Sequence, residues 1–141
     1  MSEVVTRARA WIGTPYGHQA SCRGAGADCL GLLLGLWREI HGELPEAVPA
    51  YRPDWGEVRG EELLLQAALR HLRPATTPAP GDVLLFRMRA GSIAKHVGLA
   101  AETGAAPTFI HSYQGHGVVE SALTAPWARR IAARFAFPAG D

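Results

Sequence analysis

The first part of the chain alternates between a helical repeat and a small, polar stretch. Apolar side chains recur at helical spacing in residues 4–12, directly after Ser2, whose hydroxyl suits a helix N-cap. Gly13 and Pro15 are expected to end this helix. Residues 17–27 are small, polar and rich in glycine, which predicts a loop.

A second and more apolar helix is predicted after this loop. Asp28 is a good N-cap residue, and the leucine-rich run that follows it ends before Gly42. Because leucines lie all around this predicted helix, residues 29–41, we expect it to be central and buried. Residues 43–60, with three prolines, are interpreted as an irregular excursion, and residues 61–72 as a third helix.

The second half of the chain has the pattern of strands. A turn-rich connector precedes it, and runs rich in β-branched and aromatic residues then predict five strands, at residues 83–88, 96–100, 108–112, 117–121 and 131–137. Helices first and strands afterwards favour an α+β fold with an antiparallel sheet.

Composition agrees with a single folded domain over residues 1–141. Hydrophobic residues make up 48% of the chain and charged residues 19%, which excludes a disordered chain. The net charge of +1 gives no electrostatic reason to expect nucleic acid or an anionic membrane as a partner. No apolar run approaches the roughly 20 residues that span a bilayer, and residues 1–12 lack the apolar region of a signal peptide.

Cys29 is the first candidate for chemistry. It would be the first residue of the helix capped by Asp28, where the helix dipole is expected to lower the thiol pKa and favour the thiolate. Buried cysteines are also commonly inert packing residues, and that alternative stays open. Cys22 could form a disulfide with Cys29, or a metal site with Cys29 and His18, although the spacing matches no common zinc or redox motif.

Six histidines could supply the base that a cysteine nucleophile needs. His96 begins one predicted strand and His111 ends the next, so in an antiparallel hairpin their side chains could meet as a base and its orienting partner. Two unrelated strand histidines are the alternative, and His116, in the following loop, is a rival third member. His18 lies in the glycine-rich loop, where it could line a cleft.

Five short motifs follow one another in a defined order. They are G-T-P-Y (13–16), D-C-L-G (28–31), P-G-D-V-L-L-F (80–86), H-V-G-L (96–99) and F-I-H (109–111). In this order and spacing, the chain resembles the NlpC family of papain-like cell-wall cysteine peptidases over nearly its whole length. The resemblance implies a papain-like NlpC fold, with the nucleophile at a helix N-terminus packed on an antiparallel sheet. It also implies hydrolysis of the bond between D-glutamate and a diamino acid in peptidoglycan stem peptides.

Carried over residue by residue, the resemblance implies specific roles. Cys29 matches the nucleophile, His96 the general base and His111 the residue that orients the base. Three residues are expected to border the substrate: Tyr16, Asp28 and His18. No metal or other cofactor is expected for this chemistry.

Two features depart from the general pattern of the family. Leu30 replaces a small residue after the nucleophile, and residues 49–55 form an insertion. With residues 18–21, they resemble the branch encoded in phage tail gene clusters and gene transfer agents. We therefore expect a chain made in the cytoplasm without a signal peptide, bound to tail hub or tip proteins, and acting on the wall. The alternatives are a catalytically weak structural tail component and a papain-like amidase or acyltransferase.

Overall fold

Helices come first and most strands afterwards, as predicted, in the computed structural model, which describes residues 2–46, 63–89 and 91–138. The helices in these ranges are α1 (Glu3–Ala10), α2 (Cys29–His41), α3 (Leu63–His71) and α4 (Ala125–Arg129). The strands are β1 (Ser21–Cys22), β2 (Gly26–Ala27), β3 (Arg73–Pro74), β4 (Val83–Arg87), β5 (Ala94–Ala100), β6 (Thr108–Tyr113), β7 (Gly117–Ala122) and β8 (Ile131–Ala136). The α+β fold class is confirmed.

Six strands form one antiparallel sheet in the order β3-β8-β4-β5-β6-β7. Strand β5 is near the middle, where Leu99 aligns with Val83 of β4 on one side and with Ile110 of β6 on the other. Strands β1 and β2 form a separate ribbon directly before α2. The start of α2 is thereby placed between the ribbon and the sheet.

The two faces of the sheet are covered by different layers, because successive strand side chains point to opposite faces. On one face, α1, α2 and α3 form the larger core, in which Leu32 and Leu36 of α2 are buried. On the other face a smaller layer contains Phe86 and Phe109, with Trp127 of α4 packed against it. The predicted central position of α2 is thus confirmed.

Helix α2 presses against the segment in front of it at a glycine. A Cβ atom at Gly31 would lie 1.8 Å from the carbonyl oxygen of Ala20. The Ser21 hydroxyl also donates a hydrogen bond of 2.6 Å to the Gly31 carbonyl. Only glycine fits at residue 31 with this backbone arrangement, so the last residue of the D-C-L-G motif sets how closely the loop approaches the helix.

Most predicted boundaries agree with the structure to within two residues. Helix α1 ends at Ala10, two residues before the end of the apolar repeat, with Trp11 as its C-cap. The end of α3 lies inside the predicted range 61–72, whereas residues 61 and 62 and the insertion 49–55 lie outside the described residues.

Four short elements were not predicted. Strands β1 and β2 lie inside the predicted loop 17–27, and each has only two residues, as does β3. Helix α4 has five residues and contains Pro126. Elements this short carry no periodic pattern, so the sequence could not indicate them. No helix in the described ranges is both long and apolar enough to cross a bilayer.

Candidate active site

Cys29 is the first residue of α2, at the contact of that helix with the central strand β5. Its Sγ donates a 3.9 Å hydrogen bond to the carbonyl oxygen of Lys95, and the backbone N–H of Val97 donates to the sulfur. These two residues flank His96 in the chain, so the thiol lies against the backbone at His96. Across the described residues, no hydrogen bond joins Sγ to the His96 ring.

Asp28 anchors both the helix and the loop in front of it. One carboxylate oxygen accepts a 2.6 Å hydrogen bond from the N–H of Gly31, which caps α2, and the other accepts 2.7 Å from the N–H of Gln19. His18 Nδ1 lies 3.9 Å from the second oxygen. The hydrogen bond from Gly31 confirms the predicted capping role of Asp28. The Asp28 side chain is buried, and its carboxylate faces the protein.

Tyr16 lies beside the same site and is partly buried. Burial raises the pKa of its phenol, and the nearby charges of Asp28 and Cys29 raise it further. The phenol is therefore a neutral hydrogen-bond donor near the thiol. His18 is exposed on the loop, where its ring contacts the side chain of Gln19.

The two strand histidines meet across β5 and β6. His96 Nε2 and His111 Nδ1 are 2.8 Å apart and share a hydrogen bond, and His111 Nε2 lies 3.0 Å from the hydroxyl of Ser121 on β7. Gly98 leaves room for this contact, because a Cβ atom there would lie 3.2 Å from the Cβ atom of His111 and 3.0 Å from Phe109. The glycine of the H-V-G-L motif thus permits the two rings to approach each other.

An aromatic cover encloses the histidine pair. The Trp127 ring centroid lies 5.8 Å from that of His96 and 5.2 Å from that of His111. On the outer side, Tyr113 stacks on His111 at 4.8 Å, and the exposed His116 stacks on Tyr113 at 4.2 Å. Only 7% of His96 and none of His111 is exposed to solvent.

Burial determines the charge of both histidines. It lowers the pKa of His96 to about 4. Burial also lowers the pKa of His111 to about 3, with smaller contributions from the repulsion of His96 and His116. Both rings are therefore neutral at pH 7, so one ring donates and the other accepts in the hydrogen bond that joins them.

Burial likewise determines the charge of the thiol. It raises the pKa of Cys29 to about 11, and the charge of Asp28 raises it further, although the backbone N–H groups of Val97, Leu30 and Cys29 act in the opposite direction. The expectation of a lowered thiol pKa was therefore wrong. The helix N-terminus does stabilise the thiolate, but the loss of hydration outweighs it. The resting pair is a neutral thiol and a neutral imidazole.

The buried neutral histidines predict acid destabilisation. Their pKa values in the folded protein are below the ordinary 6.5, so the unfolded chain binds more protons and stability is lost as the pH falls from about 6.5 towards 4. We expect the melting temperature to fall on the order of 5–10 °C between about pH 7 and pH 5. Calorimetric scans across this range should show a shallower fall for His111→Asn than for the wild type. Equal slopes for the two proteins would contradict the assignment.

The structure brings some predicted site residues together and separates others. It gathers Cys29, Asp28 and Tyr16 at the start of α2, and it joins His96 to His111. His116 stacks on Tyr113 at the surface instead of bonding to His96. Both cysteines are free, and within the described ranges no three histidine, cysteine or acidic side chains form a possible metal cluster.

Three residues of the site were not predicted. Gly98 was part of a motif, but its role depends on the register between β5 and β6. Ser121 was placed on a strand, yet its contact with His111 is diagonal across two strands. Trp127 lies on the unpredicted helix α4. The only signal for it in the sequence was a large aromatic residue in a segment with no periodic pattern.

A scan against family models adds an independent finding to this geometry. Residues 13–134 match the model described as the NlpC/P60 family. The chain belongs to the NlpC/P60 family. The matched range contains every residue that the sequence pattern placed in the site. No curated protein matches the chain.

Solved structures support the same NlpC/P60 fold at low identity. The chain aligns with the NlpC/p60 domain of the peptidoglycan hydrolase SagA at a TM-score of 0.61 and 20% identity, covering 95% of this chain and 96% of that one. It aligns at the same TM-score with a protein similar to a lipoprotein of the NLP/P60 family from Staphylococcus aureus, at 17% identity and 94% coverage, and with Ly7917, at 15% and 95%. The chain spans 39% of the staphylococcal protein and 61% of Ly7917. At these identities the likeness establishes the fold of an NlpC/P60 domain.

Proposed function

We propose that this NlpC/P60 domain is a cysteine peptidase that hydrolyses peptidoglycan stem peptides, at the bond between D-glutamate and a diamino acid. The observation that carries the proposal is the hydrogen-bonded pair of His96 and His111, together with a thiol at a helix N-terminus that lies against the backbone at His96. A nucleophile, a base and a group that orients the base are the minimum that acyl transfer by cysteine requires. The peptidoglycan hydrolase SagA, which shares the fold, supports the choice of substrate.

The neutral resting pair determines the first step of the proposed mechanism. When substrate enters, Sγ exchanges the Lys95 carbonyl for His96 Nδ1, the ring nitrogen that does not bond to His111. The thiol proton passes to Nδ1 as Sγ attacks the scissile carbonyl carbon. The N–H groups at the start of α2 stabilise the oxyanion, and the neutral phenol of Tyr16 donates a further hydrogen bond to it.

The remaining steps return the enzyme to its resting state. The imidazolium of His96 protonates the leaving amine, which departs and leaves an acyl group on Sγ. Water then gives a proton to His96 and attacks the acyl carbon, and His96 returns that proton to the sulfur as the acid product leaves. No metal or other cofactor takes part in these steps.

Digestion of purified peptidoglycan tests this function. Wild-type protein should release peptide fragments whose masses and new termini correspond to cleavage between D-glutamate and the diamino acid. A parallel digestion without enzyme provides the background. Products in which the acyl group is joined to an added amine would identify an acyltransferase instead, and cleavage at a different bond would identify an amidase of another specificity. Intact peptidoglycan after treatment with folded protein would favour a structural component without catalysis.

We further propose that the chain acts as part of a phage-like tail or gene transfer agent. The support is the resemblance of residues 18–21 and 49–55 to that branch, and the second range lies outside the described residues. The chain would be made in the cytoplasm, bind tail hub or tip proteins, and reach the wall with the particle. Mass spectrometry of purified particles decides the point, since particles without this protein would contradict it.

A further inference from the structure

Hydrogen bonds at the active site link three side chains in a row. The third, Ser121, was not among the site residues that the sequence predicted. His96 Nε2 bonds to His111 Nδ1, and His111 Nε2 bonds to the hydroxyl of Ser121 at 3.0 Å. Ser121 is on β7, an edge strand of the sheet, and pairs with Phe109, so it lies diagonally across from His111. The hydroxyl is therefore the only member of the chain that is near solvent.

Two arrangements of the protons are consistent with these distances. In the first, His96 Nε2–H donates to His111 Nδ1, and His111 Nε2–H donates to Ser121. In the second, every donor is reversed: the hydroxyl donates to His111, and His111 Nδ1–H donates to His96 Nε2. A neutral imidazole carries one N–H, so in the second arrangement the proton of His96 is on Nδ1.

Only the first arrangement allows His96 to act as a base. The thiol lies against the backbone at residues 95–97, and Nδ1 is the ring nitrogen nearest to that backbone. A protonated Nδ1 cannot accept the thiol proton. The position of the proton on His111 therefore decides whether the neutral pair can start the reaction.

We propose that Ser121 is a positioning residue that accepts a hydrogen bond from His111 Nε2–H and thereby holds both histidines in the productive tautomer. Its place on the edge strand explains why it accepts, because its own proton can be donated to solvent water while a lone pair faces His111. The hydroxyl also makes His111 Nδ1 a better acceptor, which raises the basicity of His96. This inference rests on the proposed peptidase function.

Nitrogen NMR of the histidine rings tests the proposal without requiring turnover. In protein labelled with ¹⁵N-histidine at about pH 7, where both rings are neutral, we expect His96 and His111 each to carry the proton on Nε2. Ser121→Ala should populate the reversed tautomers, whereas Ser121→Thr, which keeps the oxygen, should preserve the wild-type spectrum. Ser112→Ala is the matched control, because the hydroxyl of that buried serine on β6 donates to the Ala27 carbonyl and not to a histidine ring. A wild-type spectrum with the His111 proton on Nδ1 would overturn the proposal.

Kinetics on peptidoglycan fragments supply the second readout. Ser121→Ala should lower kcat by about tenfold with little change in KM, and the acid limb of kcat/KM should move to lower pH because His96 becomes less basic. Ser121→Thr should restore kcat to within about twofold. Unchanged kcat and tautomers in Ser121→Ala would refute the role of Ser121. If wild type is inactive but its tautomers respond as expected, the proposed peptidase function fails while the positioning role of Ser121 stands.

Discussion

Replacing Cys29 by alanine should abolish release of peptide fragments from peptidoglycan. Within the described ranges, the sulfur is the only nucleophile that lies both at the start of α2 and against the backbone at His96. Its loss should lower kcat by at least about 10⁵-fold, to the background of the assay, because the remaining groups have no bond to form with substrate. Fragment release followed by mass spectrometry measures the effect.

The second cysteine of the chain offers a matched control. Cys22 is free and exposed on β1, seven positions before the nucleophile, and takes no part in the proposed chemistry. Cys22→Ala should retain wild-type kcat. The melting temperature of Cys29→Ala should stay within a few degrees of wild type, since the hydrogen bond that the sulfur donates is long, at 3.9 Å. If Cys29→Ala kept an activity near that of the wild type, the proposed cysteine mechanism would be contradicted.

Gly31→Ala should be among the most destabilising single substitutions in this chain. The added Cβ would lie 1.8 Å from the Ala20 carbonyl oxygen and 2.9 Å from a carboxylate oxygen of Asp28. Backbone must move to relieve the first contact, which breaks the cap of α2 and the hydrogen bond from Gln19 to Asp28. We expect a loss of about 3 kcal/mol in the free energy of unfolding and a melting temperature lower by roughly 10 °C.

A neighbouring glycine separates this steric effect from a general effect of adding a methyl group. Gly26 also faces Ala20, but an added Cβ there would lie 3.4 Å from the Ala20 Cβ atom, which is an ordinary contact. Gly26→Ala should therefore change the free energy of unfolding by less than about 1 kcal/mol. Chemical denaturation of both variants measures the difference, and equal losses would mean that the close approach at Gly31 does not limit stability.

The sequence was most informative where a pattern repeats over several residues. The leucine-rich run predicted α2 and its cap at Asp28, and runs rich in β-branched and aromatic residues predicted five strands with nearly correct ends. The meeting of His96 and His111 could also be predicted, because adjacent antiparallel strands bring such positions together. These features depend on local periodicity and on one hairpin.

The unpredicted parts of the site depend on tertiary packing. Trp127 reaches the histidines from a five-residue helix, and nothing in the sequence around it indicates which face of the sheet it covers. The thiol pKa was predicted in the wrong direction for a related reason. The dipole of α2 can be inferred from sequence, whereas the burial that outweighs it arises only when the helix meets β5.

The high pKa of the Cys29 thiol has a consequence for the lifetime of the protein in an oxidising medium. Peroxide attacks thiolates, and a thiol with a pKa of about 11 exposes only a very small thiolate fraction at neutral pH. Oxidation of the nucleophile by peroxide should therefore be slow, so that the thiol stays reduced between encounters with substrate peptides.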